Sequence, residues 1–385
     1  MNSIKLIATS TFGLEEMVKL EVKKLGYENL EVENGRVTFE ADLAAIPKAN
    51  LWLRTADRVL LKMGEFEATS FEELFQQTRA LPWETWIPEN GKFSVSGKSI
   101  KSQLFSVSDC QAIVKKAIVE RLKETYHVDW FSEDGPEYPV EVALLKDRTT
   151  LTIDTSGAGL HKRGYREHAL EAPLKETLAA AMVLLSRWRE DRVLIDPLCG
   201  SGTILIEAAM IGRNMAPGLQ RSFVSEGWPI IPRQLWKDAR AEALKAIRQD
   251  ERINIIGYDV DEKAIMIAKE NAYRAGVDDC ISFVAQDIEK LRSDSQYGYI
   301  ICNPPYGERL GEKEEVEKLY KRMGQIFKKL ETWSVYVITS HEEFEQIYGK
   351  RSSKKRKLYN GRIKVDYYQF FGPKPPNELF GTLKE

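Results

Sequence analysis

Cysteine is scarce in this chain. Its four residues, Cys110, Cys199, Cys280 and Cys302, lie far apart, with no Cys-x-x-Cys spacing and no paired histidines. That pattern argues against a zinc site and for a reducing compartment. Long apolar runs are missing too. Lys5 interrupts the amino-terminal apolar stretch, Glu15 and Glu16 follow, and no segment approaches the ~20 apolar residues of a membrane-spanning helix. A cytoplasmic protein is expected, without membrane or metal partners. Neither sign of charge is in excess: 56 Lys and Arg against 58 Asp and Glu give a formal net charge of −2. Any affinity for nucleic acid therefore has to come from local patches. The chain has no repeats and no low-complexity segment. Its 43% hydrophobic and 30% charged content is ordinary for a soluble globular protein, and 385 residues predict two or three domains with real cores. Oligomeric state is not legible in it.

Residues 1–65 read as β-α-β-β-α-β, a small ferredoxin-like pattern. Ile4 to Thr9 and Arg58 to Glu65 read as strands, Leu14 to Leu25 as an amphipathic helix closed by Gly26, and Asn34-Gly35 as a hairpin turn. A second α+β unit, 66–156, opens with the capping box Ser70-Phe71-Glu72-Glu73, and Ser108 with Gln111 suggests another. Val140 to Leu145 and Thr149 to Asp154 read as a hairpin around Lys146-Asp147-Arg148. From 157 to 385, short apolar strands at Val193 to Ile195, Ile255 to Tyr258, Ile281 to Val284, Tyr299 to Cys302 and Val335 to Thr339 alternate with helices. Such alternation implies a parallel, doubly wound α/β sheet. A final hairpin about Asn360-Gly361 closes it antiparallel. Residues 214–251, an irregular stretch and then a helix from about Gln234, look like an insertion.

Two motifs carry chemistry. Asp196-Pro197-Leu198-Cys199-Gly200-Ser201-Gly202-Thr203 follows an apolar strand and opens a helix. A glycine turn there lets a ligand approach the backbone at a helix amino terminus. A phosphate loop would need Gly-Lys-Ser/Thr, whereas Gly202 precedes Thr203-Ile204; a dinucleotide fingerprint would need a third glycine where Leu205 stands. An aspartate before the turn suits a zwitterionic amino-acid moiety better than a pyrophosphate. Asp259, ending the second strand, can accept from two ribose hydroxyls, with Asp261 capping the next helix. Asp287 ends the third strand and can accept from an adenine amino group, although acids also cap at such places.

The second motif is Asn303-Pro304-Pro305-Tyr306-Gly307. Two prolines leave a rigid turn, so carbonyl positions are fixed before a substrate arrives. The Asn303 side-chain oxygen and the Pro304 carbonyl can both accept from an NH₂ group, while Tyr306 offers a face for stacking. In this order the motifs suggest methyl transfer from S-adenosylmethionine to the exocyclic nitrogen of a base. Two basic stretches accompany them. Lys350, Arg351, Lys354, Lys355, Arg356 and Lys357 precede the last hairpin, and Leu160-His161-Lys162-Arg163-Gly164-Tyr165-Arg166 sits at the domain junction. Phosphate contact and a solvated surface are both open readings for each. His161 and His168 read as structural or phosphate-near rather than catalytic.

With Asp196 to Thr203, Asp259, Asp287 and Asn303 to Tyr306 in this order, the second half resembles class I S-adenosylmethionine-dependent methyltransferases of the amino-nitrogen type. The whole chain resembles the THUMP-domain RNA methyltransferases, above all the RlmL type that acts on guanine N2 of 23S rRNA. Gly157 to Arg166, Ala172-Pro173-Leu174-Lys175-Glu176-Thr177-Leu178-Ala179 and Ala216-Pro217-Gly218-Leu219 are similar to that family's junction and insertion. The resemblance implies a Rossmann-like methyltransferase domain with a seven-stranded sheet, preceded by ferredoxin-like and THUMP domains that dock a structured RNA, 23S rRNA or a large-subunit precursor. It also implies that Asp196, Gly200 and Gly202 line the methionine part of the cofactor, that Cys199 and Thr203 belong to the cofactor site, and that Thr177 closes over it. Asp259 and Asp287 would hold ribose and adenine, and Asn303, Pro304 and Tyr306 the target base. Lys162, Arg163, Arg166, Lys354, Lys355, Arg356 and Lys357 are the candidate RNA contacts. Two other readings stay open: N6-adenine methylation of DNA or RNA, and a non-catalytic RNA-binding or assembly factor that keeps the fold.

Overall fold

Period-two alternation builds the front of the chain, and two tight turns set its register. The computed structural model describes residues 3–166, 174–249, 252–306 and 312–376. The order is β1 (Ile4–Ser10), α1 (Glu15–Lys24), β2 (Glu31–Glu33), β3 (Arg36–Ala41), α2 (Ala45–Trp52), β4 (Ala56–Glu67), α3 (Phe71–Arg79), β5 (Lys92–Ile100), α4 (Val107–Tyr126), β6 (Glu137–Leu145) and β7 (Arg148–Asp154). Lys146 and Asp147 both take left-handed φ, 52° and 66°, matching the twist of a tight β6–β7 hairpin. At the start of α3 the expected capping box forms: the Glu73 amide donates to Ser70 Oγ at 3.2 Å and the Ser70 amide to Glu73 at 3.1 Å. The second expected box does not form. Helix α4 begins two residues earlier, with Ser106 at the cap position, and Ser108 lies inside it.

The two front halves share one sheet, ordered β2-β3-β1-β4-β7-β6-β5. β4 makes this possible: its 12 residues pair antiparallel with β1 through Ala56–Leu61 and with β7 through Leu60–Glu67.

The second half runs α5 (Glu176–Ser186), β8 (Leu194–Asp196), α6 (Thr203–Gly212), α7 (Arg233–Lys245), β9 (Ile255–Asp259), α8 (Glu262–Ala275), β10 (Ile281–Ala285), β11 (Tyr299–Cys302), α9 (Glu312–Phe327), β12 (Ser334–Thr339), α10 (Phe344–Tyr348), β13 (Lys354–Asn360) and β14 (Ile363–Phe370). Its seven-stranded sheet is ordered β10-β9-β8-β11-β12-β14-β13, parallel except for β14, which the closing hairpin sets antiparallel to both β12 and β13. This is the doubly wound α/β architecture that the alternation predicts. Apolar side chains fill both faces. Leu194 and Ile301 pack with α5, α6 and α8 on one, and Ile195, Ile300 and Cys302 pack with α9 on the other.

Two compact units result. One comprises Met1–Ser10, Val18–Leu160 and Arg221–Lys245; the other comprises Thr11–Met17, His161–Gln220 and Ala246–Glu385. The helical part of the insertion therefore belongs with the front sheet. Trp228 stacks on Tyr138 at 4.8 Å and donates from its indole to the Glu137 carbonyl at 2.9 Å. In exchange, the loop after β1 belongs with the second unit, where Phe12 meets Tyr359 edge-on at 6.2 Å. Gly13 is required there, because its φ is +93° and a Cβ would lie 3.0 Å from the Lys357 carbonyl.

Candidate active site

The strand β8 ends at Asp196, and the chain reverses through two left-handed glycines, Gly200 (φ 50°) and Gly202 (φ 80°), into α6. A Cβ on Gly202 would stand 3.0 Å from the Phe283 ring and 3.2 Å from Ala268. Strand β9 secures this turn. The Gly200 amide donates to an Asp259 carboxylate oxygen at 2.9 Å, the Cys199 amide to the Tyr258 carbonyl at 2.9 Å, and the Asp261 amide to the other Asp259 oxygen at 3.0 Å. Asp259 thus joins two strand ends while lone pairs remain for further donors. Asp261 caps α8, accepting from the Lys263 amide at 2.8 Å. Asp287 accepts from the Glu289 amide at 2.8 Å, which engages one of its two oxygens.

Asp196 is 2% exposed. It accepts from the Leu198 amide at 3.1 Å, and no cation pairs with it among the described residues. Burial pushes its carboxyl well above the usual carboxylate range, and the nearby Asp259 charge adds to the shift. Burial likewise raises the Cys199 thiol, so this sulfur packs the turn as a neutral group.

Next to β8 runs β11, parallel and in register through Leu194–Tyr299 and Ile195–Ile300. Neighbouring strands lie ~4.8 Å apart. The carboxyl end of β11 delivers Asn303-Pro304-Pro305-Tyr306 to the sheet edge that holds the glycine turn. Between β8 and β11 the strand order reverses direction, with β9 and β10 to one side and β12 to the other. Ligands of open α/β sheets sit at that switch point. The Tyr306 hydroxyl donates to Asn303 Oδ1 at 2.7 Å, tying the expected stacking residue to the expected acceptor. One lone pair of the amide oxygen is still available. Behind the corner, Tyr320 of α9 places its hydroxyl 2.7 Å from the Pro305 carbonyl and 2.8 Å from Thr339 Oγ1. Tyr320 and Thr339 are fully buried. Burial raises the Tyr320 phenol to about 12, so it remains a donor at neutral pH.

Comparison with known proteins follows this geometry. An RMKL-like methyltransferase domain matches residues 163–369, an RlmL ferredoxin-like domain residues 5–60 and a THUMP domain residues 68–154. A Bacillus subtilis (strain 168) protein named "Putative RNA methyltransferase YpsC" is 53% identical over 98% of both chains. The chain belongs to the RMKL-like methyltransferase family. Two solved relatives overlay closely on it. One, named a "predicted N6-adenine-specific DNA methylase" from Listeria monocytogenes, is 55% identical over 97% of each chain, with a TM-score of 0.93. The other, SMU.472, complexed with SAH, is 44% identical over 98% of this chain and 100% of that one, also with a TM-score of 0.93. Relatives named ribosomal RNA large subunit methyltransferase K/L are 34–35% identical, and this chain spans about half their length.

The methyltransferase uses S-adenosylmethionine, and its glycine turn fits that molecule's charges. Asp196 offers a buried carboxyl with no paired cation among the described residues. Thr177 at the start of α5 is 1% exposed, and its hydroxyl has no hydrogen-bond partner among the described residues.

The basic residues divide. Arg163 is 3% exposed and pairs at 3.2 Å with Glu207, itself fully buried, while the Tyr165 hydroxyl donates to the same carboxylate at 3.3 Å. It presents no surface to a phosphate, and the expectation that it contacts RNA is corrected. Arg166 is turned inward as well, donating to the Leu174 carbonyl at 3.1 Å and to Thr203 Oγ1. Lys162, Lys354, Lys355 and Lys357 are exposed and Arg356 half-buried. The last four lie on β13, the edge strand of the sheet, where lysines also discourage edge pairing. Lys355 is partly neutralised by Asp366 at 3.6 Å. His168, Ala172, Pro173 and Gly307 lie outside the described residues. No group of three or more His, Cys, Asp or Glu suited to a metal, and no helix long and apolar enough to cross a membrane, occurs among the described residues.

Sequence reasoning missed Tyr320 and Thr339. Tyr320 sits on the apolar face of α9 and reads as core; only the pairing of β11 with β12 brings Thr339 and the diproline corner to one phenol.

Proposed function

We propose that this methyltransferase modifies the exocyclic amine of a base in structured RNA, with guanosine N2 in large-subunit rRNA as the first reading. One observation carries it: the Asn-Pro-Pro-Tyr corner and the glycine turn stand at the carboxyl ends of adjacent parallel strands, on either side of the switch point. A methyl group has only a short gap to cross there. The THUMP domain and the names of the relatives support RNA as the substrate.

In this reading Asp196 and the turn hold the methionine portion of the cofactor, Asp259 the ribose and Asp287 the adenine. S-adenosylmethionine supplies an electrophilic methyl carbon on a sulfonium. The target base leaves its stack to reach the pocket. Asn303 Oδ1 and the Pro304 carbonyl accept its two amino hydrogens, which aims the nitrogen lone pair along the methyl–sulfur axis, and Tyr306 packs on the ring. The nitrogen–carbon bond forms as the sulfur–carbon bond breaks, S-adenosylhomocysteine departs, and the extra proton leaves the new amine for water. No strong general base is needed; positioning and exclusion of water supply the acceleration.

Asn303→Ala should lower turnover by roughly 100-fold or more while leaving S-adenosylhomocysteine affinity nearly intact; undiminished turnover would refute the role. The base is decided by mass spectrometry of rRNA nucleosides from a strain lacking the protein. Loss of N2-methylguanosine at one large-subunit site is expected. Loss of N6-methyladenosine would instead favour the second reading, in line with the name of the Listeria relative, and an unchanged profile would sink both.

A further inference from the structure

The glycine turn explains the cationic end of a methionine zwitterion, with Asp196 as counter-charge, but leaves its carboxylate without a partner. Where the turn enters α6 stands Arg166. Its guanidinium donates through Nη2 to Thr203 Oγ1, the first residue of α6, and to the Leu174 carbonyl. The side chain is 11% exposed, and Nε has no hydrogen bond even though a Glu176 oxygen lies 3.5 Å away. Glu176 balances the charge without engaging that N–H; burial raises its carboxyl and Arg166 opposes the shift. The adjoining Thr177 hydroxyl is the buried, unpartnered group noted above. Arg163, also buried at the junction, is engaged with Glu207, which the Tyr165 hydroxyl also joins. Arg166 is therefore a cation with unmet bonding capacity beside the turn, next to the positive end of a ten-residue helix.

We propose that Arg166, assisted by Thr177 Oγ1 and the amino terminus of α6, binds the α-carboxylate of the cofactor's methionine moiety. Opposite charges then meet opposite ends of the zwitterion, Asp196 the ammonium and Arg166 the carboxylate. A guanidinium suits this task because its planar fork matches a carboxylate. The inference rests on the reading that places methionine at the glycine turn.

The test compares two ligands by calorimetry on the full chain: S-adenosylhomocysteine, and 5′-methylthioadenosine, which keeps the nucleoside and sulfur but has neither carboxylate nor ammonium. Arg166→Ala should weaken S-adenosylhomocysteine roughly 10- to 100-fold and leave 5′-methylthioadenosine within about twofold. Arg166→Lys, which retains charge and the best chance of an intact fold, should lose less, and Thr177→Val should also affect the first ligand alone. Equal weakening of both ligands, or of neither, overturns the assignment of Arg166. If the wild type binds 5′-methylthioadenosine as tightly as S-adenosylhomocysteine, the turn does not hold methionine and the underlying reading falls instead.

Discussion

In the proposed reading, the buried acid Asp196 would link cofactor binding to pH. Burial raises its carboxyl in the ligand-free fold, so at pH values between the ordinary carboxylate range and that raised value the native chain holds a proton the unfolded chain lacks. Stability from this group is full below the unfolded value and declines as pH rises toward the folded one. A cation bound beside Asp196, as proposed, would oppose that shift, so within this pH window binding would release a proton. Calorimetry of S-adenosylhomocysteine in buffers of different ionisation enthalpy should detect that release. Asp196→Asn should abolish the buffer dependence and weaken binding roughly tenfold or more; an enthalpy independent of buffer in the wild type would contradict the account. The turn after Asp196 was legible because its spacing is distinctive: an acid, two glycines and a helix start. Arg163 was misread for a physical reason. A Lys-Arg-rich string looks solvated in one dimension, and only the fold brings Glu207 from α6 to neutralise it.

At the level of elements, strand positions were legible from apolar runs, and both glycine hairpins formed, but helix starts depended on competing caps. Ser70 has Glu73 in the right place, whereas Val107 begins α4 ahead of Ser108. The five-residue α10 is too short for periodicity to reveal. What the strand pattern could not reveal is the support of the diproline corner by α9 and β12. Tyr320 ties the Pro305 carbonyl to Thr339, so the corner's rigidity comes from its neighbours as well as its prolines. Tyr320→Phe preserves packing and removes one hydroxyl. It should reduce kcat by roughly 3- to 10-fold with cofactor affinity unchanged, because the loss falls on acceptor geometry. Thr339→Ser should behave as wild type and Thr339→Val as Tyr320→Phe. A change in S-adenosylhomocysteine affinity equal to that in kcat would mean the phenol serves the whole sheet edge.

At the scale of the molecule, sequence order conceals two exchanges. The long β4 fuses both front halves into one sheet, and the insertion ahead of α7 joins that sheet through Trp228 on Tyr138, residues too distant in sequence for local pattern to relate. Charge is the other whole-molecule property. With a net charge of −2 the chain has no overall attraction for RNA, so affinity must come from cations that neither pair nor bury. Arg163 is excluded on that ground and Lys355 is discounted by Asp366, whereas Lys354 and Lys357 lie exposed on the edge strand. If both meet phosphates, each contributes roughly 0.7–0.9 to the slope of log affinity against log salt. The Lys354→Ala/Lys357→Ala double variant should therefore flatten the slope for an rRNA fragment by about 1.4–1.8 and weaken binding at low salt without altering S-adenosylhomocysteine affinity. The Lys355→Ala variant should flatten it less than either single replacement. An unchanged slope in the double variant would return these lysines to the role of guarding a sheet edge.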